Sequence, residues 1–131
     1  MLETLTLGRI LVFAPDLDLA TRFYGDILGL RLVAKHDRLM RFAGDRFEID
    51  IFQCERASQV GDYSNEAGVS VSFTVPDLEA AMQTLREAGV DVLHEVPNTA
   101  TDGTRYAAFA DPFGTVFELI EVSTGSAECA R

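Results

Sequence analysis

Hydrophobic and polar positions along this chain alternate between two periods, and the switches fall at prolines and glycines. Ile10–Phe13 is an apolar run that closes on Ala14-Pro15, and Val69–Val75 closes on Pro76. The residue before a proline is pushed to extended geometry, so each run predicts a strand that stops at its proline. Beyond each proline the period lengthens. Leu78, Ala81, Met82 and Leu85 recur at helical spacing, and Gly89 follows as the stop. The earlier copy runs Leu17, Ala20, Phe23 or Tyr24, then Ile27 and Leu28, and stops at Gly29. Asp16 and Asp77 stand where a carboxylate can accept from the first-turn N–H groups and meet the positive end of the helix dipole. Short extended runs follow each glycine, Leu30–Ala34 and Val90–Leu93. Each half then offers two more strands. They are Leu39–Ala43 and Phe47–Gln53 around Gly44-Asp45, and Arg105–Ala110 and Val116–Val122 around Asp111-Pro112-Phe113-Gly114.

The pattern is therefore β-α-β-β-β, written twice. Phe13–Ala20 returns as Thr74–Ala81, with Pro15 and Pro76 61 positions apart. Module one spans 5–54, a linker 55–67, and module two 68–122, followed by a small polar tail, 123–131. Neither module is large enough to bury a core alone, so 1–122 is expected to be one domain.

Strand alternation assigns faces. Val71, Phe73 and Val75 share one side of their strand, to meet the helices, and Ser70, Ser72 and Thr74 share the other. On the last strand Phe117 and Leu119 face the helices, and Val116, Glu118 and Ile120 face away. By the same parity Arg9, Leu11, Phe13, Glu48, Asp50 and Phe52 face away from the helices in module one.

Composition narrows the function classes. At 131 residues, with 47% hydrophobic and 24% charged side chains, disordered and fibrous classes fit poorly. Twenty-one acidic against 11 basic residues give a net charge of -10, which phosphate backbones and anionic lipid repel. Nucleic acid and membrane surfaces are thus not expected partners. Cys54 and Cys129 make no disulfide framework, Glu3 and Arg9 interrupt any signal-like apolar run, and a cytoplasmic location is the simplest expectation. No Gly-rich phosphate loop, zinc-type cysteine pattern or nucleotide fingerprint is present.

The doubled module, with Pro15-Asp16-Leu17-Asp18, Arg22-Phe23-Tyr24-Gly25-Asp26-Ile27-Leu28-Gly29-Leu30, Pro76-Asp77-Leu78-Glu79, and Asp111-Pro112-Phe113-Gly114 leading into Phe117-Glu118-Leu119, resembles the vicinal oxygen chelate superfamily over residues 7–122. That superfamily includes glyoxalase I, bleomycin-resistance proteins, fosfomycin-resistance enzymes and extradiol dioxygenases. The resemblance implies an α+β fold in which two βαβββ modules form a half-open curved mixed sheet, helices on the convex side and a ligand cavity on the concave side. It also implies a homodimer. One fold here serves many functions, so the site residues must decide.

Metal-dependent members hold their ion with a His on the first strand, an acid on the fourth, a His on the fifth and a Glu on the last. The resemblance places Arg9, Asp50, Ser70 and Glu118 at those positions. Both acids are kept and both imidazoles are lost. A guanidinium has no lone pair to give a cation and repels it, so no cofactor is expected. Arg9 instead becomes the local cation, placed to bridge Glu118 and Asp50. Two readings of that bridge stay open: a structural ion pair, or a polar anchor for a small molecule.

The expected cavity residues are Arg9, Phe13, Asp50, Phe52, Ser70, Ser72, Glu118 and His94, and no catalytic residue is assigned. The leading expectation is a metal-independent small-molecule-binding protein resembling the bleomycin-resistance branch. The alternatives are a lyase, isomerase or dioxygenase holding a divalent metal through a shifted set of Glu118, Asp50 and His94, and a regulatory module with a filled cavity. Of the remaining candidates, His36 lies in the charged turn Lys35–Arg38 and Tyr24 is a core residue. Arg105 and Tyr106 alternate, so only one can reach the cavity. Cys54 lacks the basic neighbours of a nucleophile. The Asn98–Gly103 loop is expected as a mobile cover.

Overall fold

A computed structural model describes residues 4, 7–55 and 69–122. Most of the 55–67 linker, the tail and Cys129 therefore lie outside the described residues. The chain divides into two compact units, Met1–Ser58 and Gln59–Arg131, each built on a mixed sheet with a helical crossover. The fold is α+β.

In the first unit β1 (Ile10–Ala14) leads into α1 (Leu17–Ala20), then β2 (Arg31–Lys35), β3 (Leu39–Gly44) and β4 (Phe47–Gln53), in sheet order β1-β4-β3-β2. β1 runs parallel to β4, with Leu11 opposite Asp50 and Phe13 opposite Phe52. β4, β3 and β2 alternate in direction, so β2 runs parallel to β1. Parallel strands cannot be joined by a tight turn, and the helical segment makes the crossover from β1 to β2. Asp16 caps that helix, its Oδ1 accepting from the Asp18 and Leu19 N–H groups at 3.0 Å.

The helical stretch departs from the periodicity reading. α1 ends after four residues and continues as a π-helical segment, Thr21–Ile27, closed by the Leu28 N–H on the Phe23 carbonyl. At the junction the Thr21 hydroxyl donates to the Leu17 carbonyl at 2.8 Å, taking a share of a backbone acceptor, an arrangement that often bends helices. Gly25 then lets the segment ride close to Phe42, 3.4 Å from where a Cβ would stand. Both Phe23 and Tyr24 are buried, edge to face at 5.0 Å. Val12, Ala14, Phe42, Ile49 and Ile51 complete this core face.

The second unit repeats the plan. β5 (Val71–Val75), α2 (Leu78–Glu87), β6 (Asp91–Val92), β7 (Asn98–Thr99), β8 (Arg105–Ala110) and β9 (Val116–Glu121) form a sheet in order β5-β9-β8-β6, with β7 also on β8. β5 pairs parallel with β9, Ser72 opposite Glu118. Leu78, Met82 and Leu85 bury one side of α2, which lies against β6, β8 and β9. Phe117 sits between Phe73 and Phe109, ring centroids 5.3 and 5.7 Å apart. Gly29 and Gly89, with φ of 76° and 83°, end the two helical segments in the left-handed conformation that a side chain strains.

Two features were not legible from the pattern. The expected Val90–Leu93 strand is only two residues long, and the expected cover loop contributes a strand. Asn98 and Thr99 pair with Tyr106 and Arg105, and the turn closes through Ala100 N–H to the Thr104 carbonyl at 2.8 Å. Thr104 N–H also donates to Asp102 Oδ1 at 3.0 Å. That bond from Thr104 holds the Asp102 carboxyl below the usual range. Among the described residues no helix is long and apolar enough to cross a membrane.

α2 is tied to its sheet by one carboxylate. Glu121 Oε2 accepts from the Leu78 N–H at 2.9 Å, and Oε1 accepts from Arg105 Nη1 at 2.8 Å. Arg105 also reaches Glu79 at 3.3 Å, and the Glu79 hydrogen bond is the main cause raising its pKa, but the Glu79 side chain is 69% exposed. The better buried contact carries more of the stability. Glu121→Ala is expected to cost about 1–3 kcal/mol in urea unfolding, because a buried N–H and a cation lose their partner together. Glu79→Ala should cost less than about 1 kcal/mol. Equal losses would show that Glu121 does not anchor the helix.

A second expectation concerns pH. A carboxyl whose folded pKa is lowered adds stability above its unfolded pKa, and that share is lost as pH falls through the folded value. Protection of the Thr104 amide against hydrogen exchange, referenced to the unfolded rate, should therefore fall below the ordinary aspartate range. In Asp102→Asn that acid-dependent loss should vanish.

Candidate functional site

On the sheet face away from its helix, the first unit carries a row of alternating charge. Arg9, just ahead of β1, donates through Nε to Glu48 Oε1 at 2.9 Å and stands 3.8 Å from Asp50 Oδ1. Arg41 on β3 closes on Asp50 with two bonds, Nε to Oδ1 at 2.7 Å and Nη2 to Oδ2 at 3.1 Å. Such a fork-to-fork contact is the strongest pairing a carboxylate finds in protein. It is needed here, since Asp50 is buried and a lone charge there would be costly. The hydrogen bond that Arg41 donates to Asp50 holds the Arg41 pKa above its usual value against the opposing effect of burial.

Further along the same face lies an apolar level. Phe13 and Phe52 meet edge to face at 6.3 Å, and the Arg38 guanidinium stands over the Phe52 ring at 5.9 Å. Arg38 is held there by its bond to the Gln53 carbonyl at 3.1 Å.

The second unit's face is milder. Ser72 donates to Glu118 Oε1 at 3.0 Å. The β8 register answers the question left between Arg105 and Tyr106. Tyr106 pairs with Ile120 and so shares the face of Glu118, while Arg105 points to the helix side and binds Glu121. His94 stands edge to face with Tyr106 at 6.0 Å, and its Nδ1 accepts from the Ala108 N–H at 3.0 Å. An Nδ1 that accepts carries no proton, so neutral His94 keeps its proton on Nε2.

The structure thus brings together Arg9 with Asp50, Phe13 with Phe52, and Ser72 with Glu118. Ser70 is exposed just before β5 and lies outside the paired register with β9, so Ser72 is the neighbour of Glu118. Arg9 and Glu118, expected as a pair, belong to different units, and each has a partner in its own. Glu48 as the close partner of Arg9, and Arg41 and Arg38, were missed. A signal for Arg41 existed. A two-residue connection at Asp45-Arg46 sets Gly44 against Phe47, and counting back puts Arg41 opposite Asp50.

The His94 geometry is directly testable. Long-range proton–nitrogen spectra at neutral to alkaline pH should show the Nε2–H tautomer, and His94→Leu should speed exchange of the Ala108 amide. An Nδ1–H tautomer would refute the contact.

Residues 6–119 match the family described as Glyoxalase/Bleomycin resistance protein/Dioxygenase superfamily. A probable lactoylglutathione lyase of Synechocystis sp. is 32% identical, over 83% of this chain and 89% of that protein. A 2-epi-5-epi-valiolone epimerase of Actinomyces sp. is 28% identical, over 86% of this chain and 76% of its own. The crystal structure of a glyoxalase family protein from Enterococcus faecalis shares the fold with a TM-score of 0.76 at 21% identity, covering 88% of this chain and 97% of that one. The doubled crossover unit and the family match agree, and the chain belongs to the Glyoxalase/Bleomycin resistance protein/Dioxygenase superfamily.

Proposed function

We propose that the protein binds a small organic molecule on the sheet faces opposite its helices, without a metal ion, as the bleomycin-resistance branch does. The observation that carries this reading is the state of Asp50. Both of its oxygens accept from Arg41, at 2.7 and 3.1 Å, and Arg9, which the resemblance sets at the first histidine position, stands 3.8 Å away. A divalent ion there would have to displace one guanidinium and sit beside another. Neither offers a lone pair, so this donor set does not fit a metal. Among the described residues, no cluster of three or more His, Cys, Asp or Glu side chains is placed to hold one.

The residues instead suit recognition. In the first unit arginine forks lie beside Phe13 and Phe52. In the second the Glu118–Ser72 pair and the Tyr106 phenol lie beside Ile120. Each face by itself thus carries the polar and apolar mixture that small-molecule sites need. Ser70 belongs to this reading as a rim residue and His94 as a donor through Nε2. A homodimer in the cytoplasm completes it, since each sheet taken by itself has edge strands that need cover.

A second reading is favoured by the names of the relatives, a probable lactoylglutathione lyase and an epimerase. In it the shifted set expected from the sequence, Glu118, Asp50 and His94, would hold a divalent metal, which would supply a Lewis acid for a substrate carbonyl. One experiment separates the readings. Protein purified without chelator is expected to carry no stoichiometric metal, and calorimetric titration with zinc, nickel or manganese should show no site tighter than micromolar. A stoichiometric metal lost on Glu118→Ala would establish the second reading.

A further inference from the structure

Building on the metal-free reading, we infer that the first unit's face selects an amphipathic anion: a carboxylate-type group held by Arg9, joined to an aromatic body laid on Leu11, Phe13 and Phe52. The choice of charge comes from local accounting. The chain as a whole carries -10, which would suggest a cationic ligand. This face says the opposite. Asp50 is matched by both arms of Arg41, and Glu48 by the Nε of Arg9. A third guanidinium, Arg38, stands over Phe52. Both acids of the row are already paired with a guanidinium, so the row offers little to an incoming cation.

What it does offer is donors. Among the described residues Arg9 donates only through Nε, and its side chain is 47% exposed. The Nη1–Nη2 edge of the guanidinium is thereby presented as a planar fork, the geometry that receives a carboxylate with two parallel bonds. Holding Nε on Glu48 fixes the plane of that fork in advance, which lowers the entropy cost of binding.

The apolar level supplies the second half. Leu11 and Phe13 on the edge strand β1 and Phe52 on β4 beside it are 52%, 42% and 39% exposed. Such a cluster next to fixed polar groups marks a recognition surface more than a packing remnant. Leu11 and Phe13 follow Arg9 at two-residue steps along one strand face, so they stand roughly 7 and 13 Å beyond it at about 3.3 Å per residue. A carboxylate on Arg9 therefore sets a ring three or four bonds away over Leu11 and toward the two phenyl groups. Arg38 over Phe52 adds a positive rim that favours the same charge.

The test uses the full chain and three matched probes: 4-phenylbutanoate, 4-phenylbutan-1-ol and 4-phenylbutylamine. In calorimetric or NMR titration the acid is expected to bind at least about tenfold more tightly than the alcohol, the amine weakest, with amide shifts centred on β1 and β4. Arg9→Gln should bring the acid down to the alcohol while leaving the alcohol unchanged. Arg9→Lys should keep part of the preference, because it retains charge without the fork. Phe13→Ala should weaken acid and alcohol alike. Equal affinities, a preference for the amine, shifts away from these strands, no binding by any probe, or an unchanged preference in folded Arg9→Gln would each overturn the inference. Alcohol or amine binding at these strands would still leave metal-free recognition standing. Acid binding that a chelator abolishes and zinc restores would overturn the metal-free reading itself.

Discussion

The parallel pairing of first and last strand in each unit is the constraint on which the rest of this structure hangs. With the hairpin strands alternating in direction beside it, that pairing makes the next strand, β2 or β6, run parallel to the first. A parallel connection needs a crossover, which the helical segment supplies between Pro15 and Gly29 in one unit and between Pro76 and Gly89 in the other. The same pairing sets Leu11 against Asp50 and Ser72 against Glu118. An acid is thereby placed in the middle of each sheet, on the face its helix does not cover. Both acids pose the same electrostatic problem, because a carboxylate on a partly dry sheet must find donors.

The two units solve it differently, and that difference shapes the site. In the first, the residue opposite Asp50 on the neighbouring hairpin strand is Arg41, and the acid is clamped. In the second, the residue opposite Glu118 is Ala108, too small to clamp anything, and the nearby hydroxyl of Ser72 donates instead. The two units thus carry one tightly neutralised face and one polar, hydroxyl-bearing face. The Ala108 backbone is used as well, its N–H orienting His94. At the centre of the first sheet the chain supplies guanidinium groups of its own, Arg9 and Arg41, beside Glu48 and Asp50.

Much of the fold was legible in advance for a physical reason. Periodicity is a local property, and buried strands and helix stripes write it into consecutive residues. The repeat, the strand faces, the Asp16 and Asp77 caps and the two glycine stops all follow from it. The departures arose where a local rule met a non-local one. Helical spacing from Leu17 to Leu28 is satisfied by α and π winding alike, and packing of Gly25 on Phe42 together with the Thr21 hydroxyl accompanies the wider form. The Asn98–Gly103 segment looks like a cover because it is small and polar, yet β8 offers it an edge to pair with, and Thr99 lies against Arg105.

Sequence by itself determined the family, the doubled βαβββ order, and which residues share a face with Asp50 and Glu118. Tertiary structure decided which charges meet. Arg9 finds Glu48, 39 positions away, and Arg41 finds Asp50 across a hairpin, while Tyr106 turns to the face of Glu118 and Arg105 to the helix. The reason is the range of the forces involved. Hydrophobic alternation is fixed by neighbours along the chain, whereas a hydrogen-bonded ion pair requires donor and acceptor within about 3 Å, and strand register alone sets that distance.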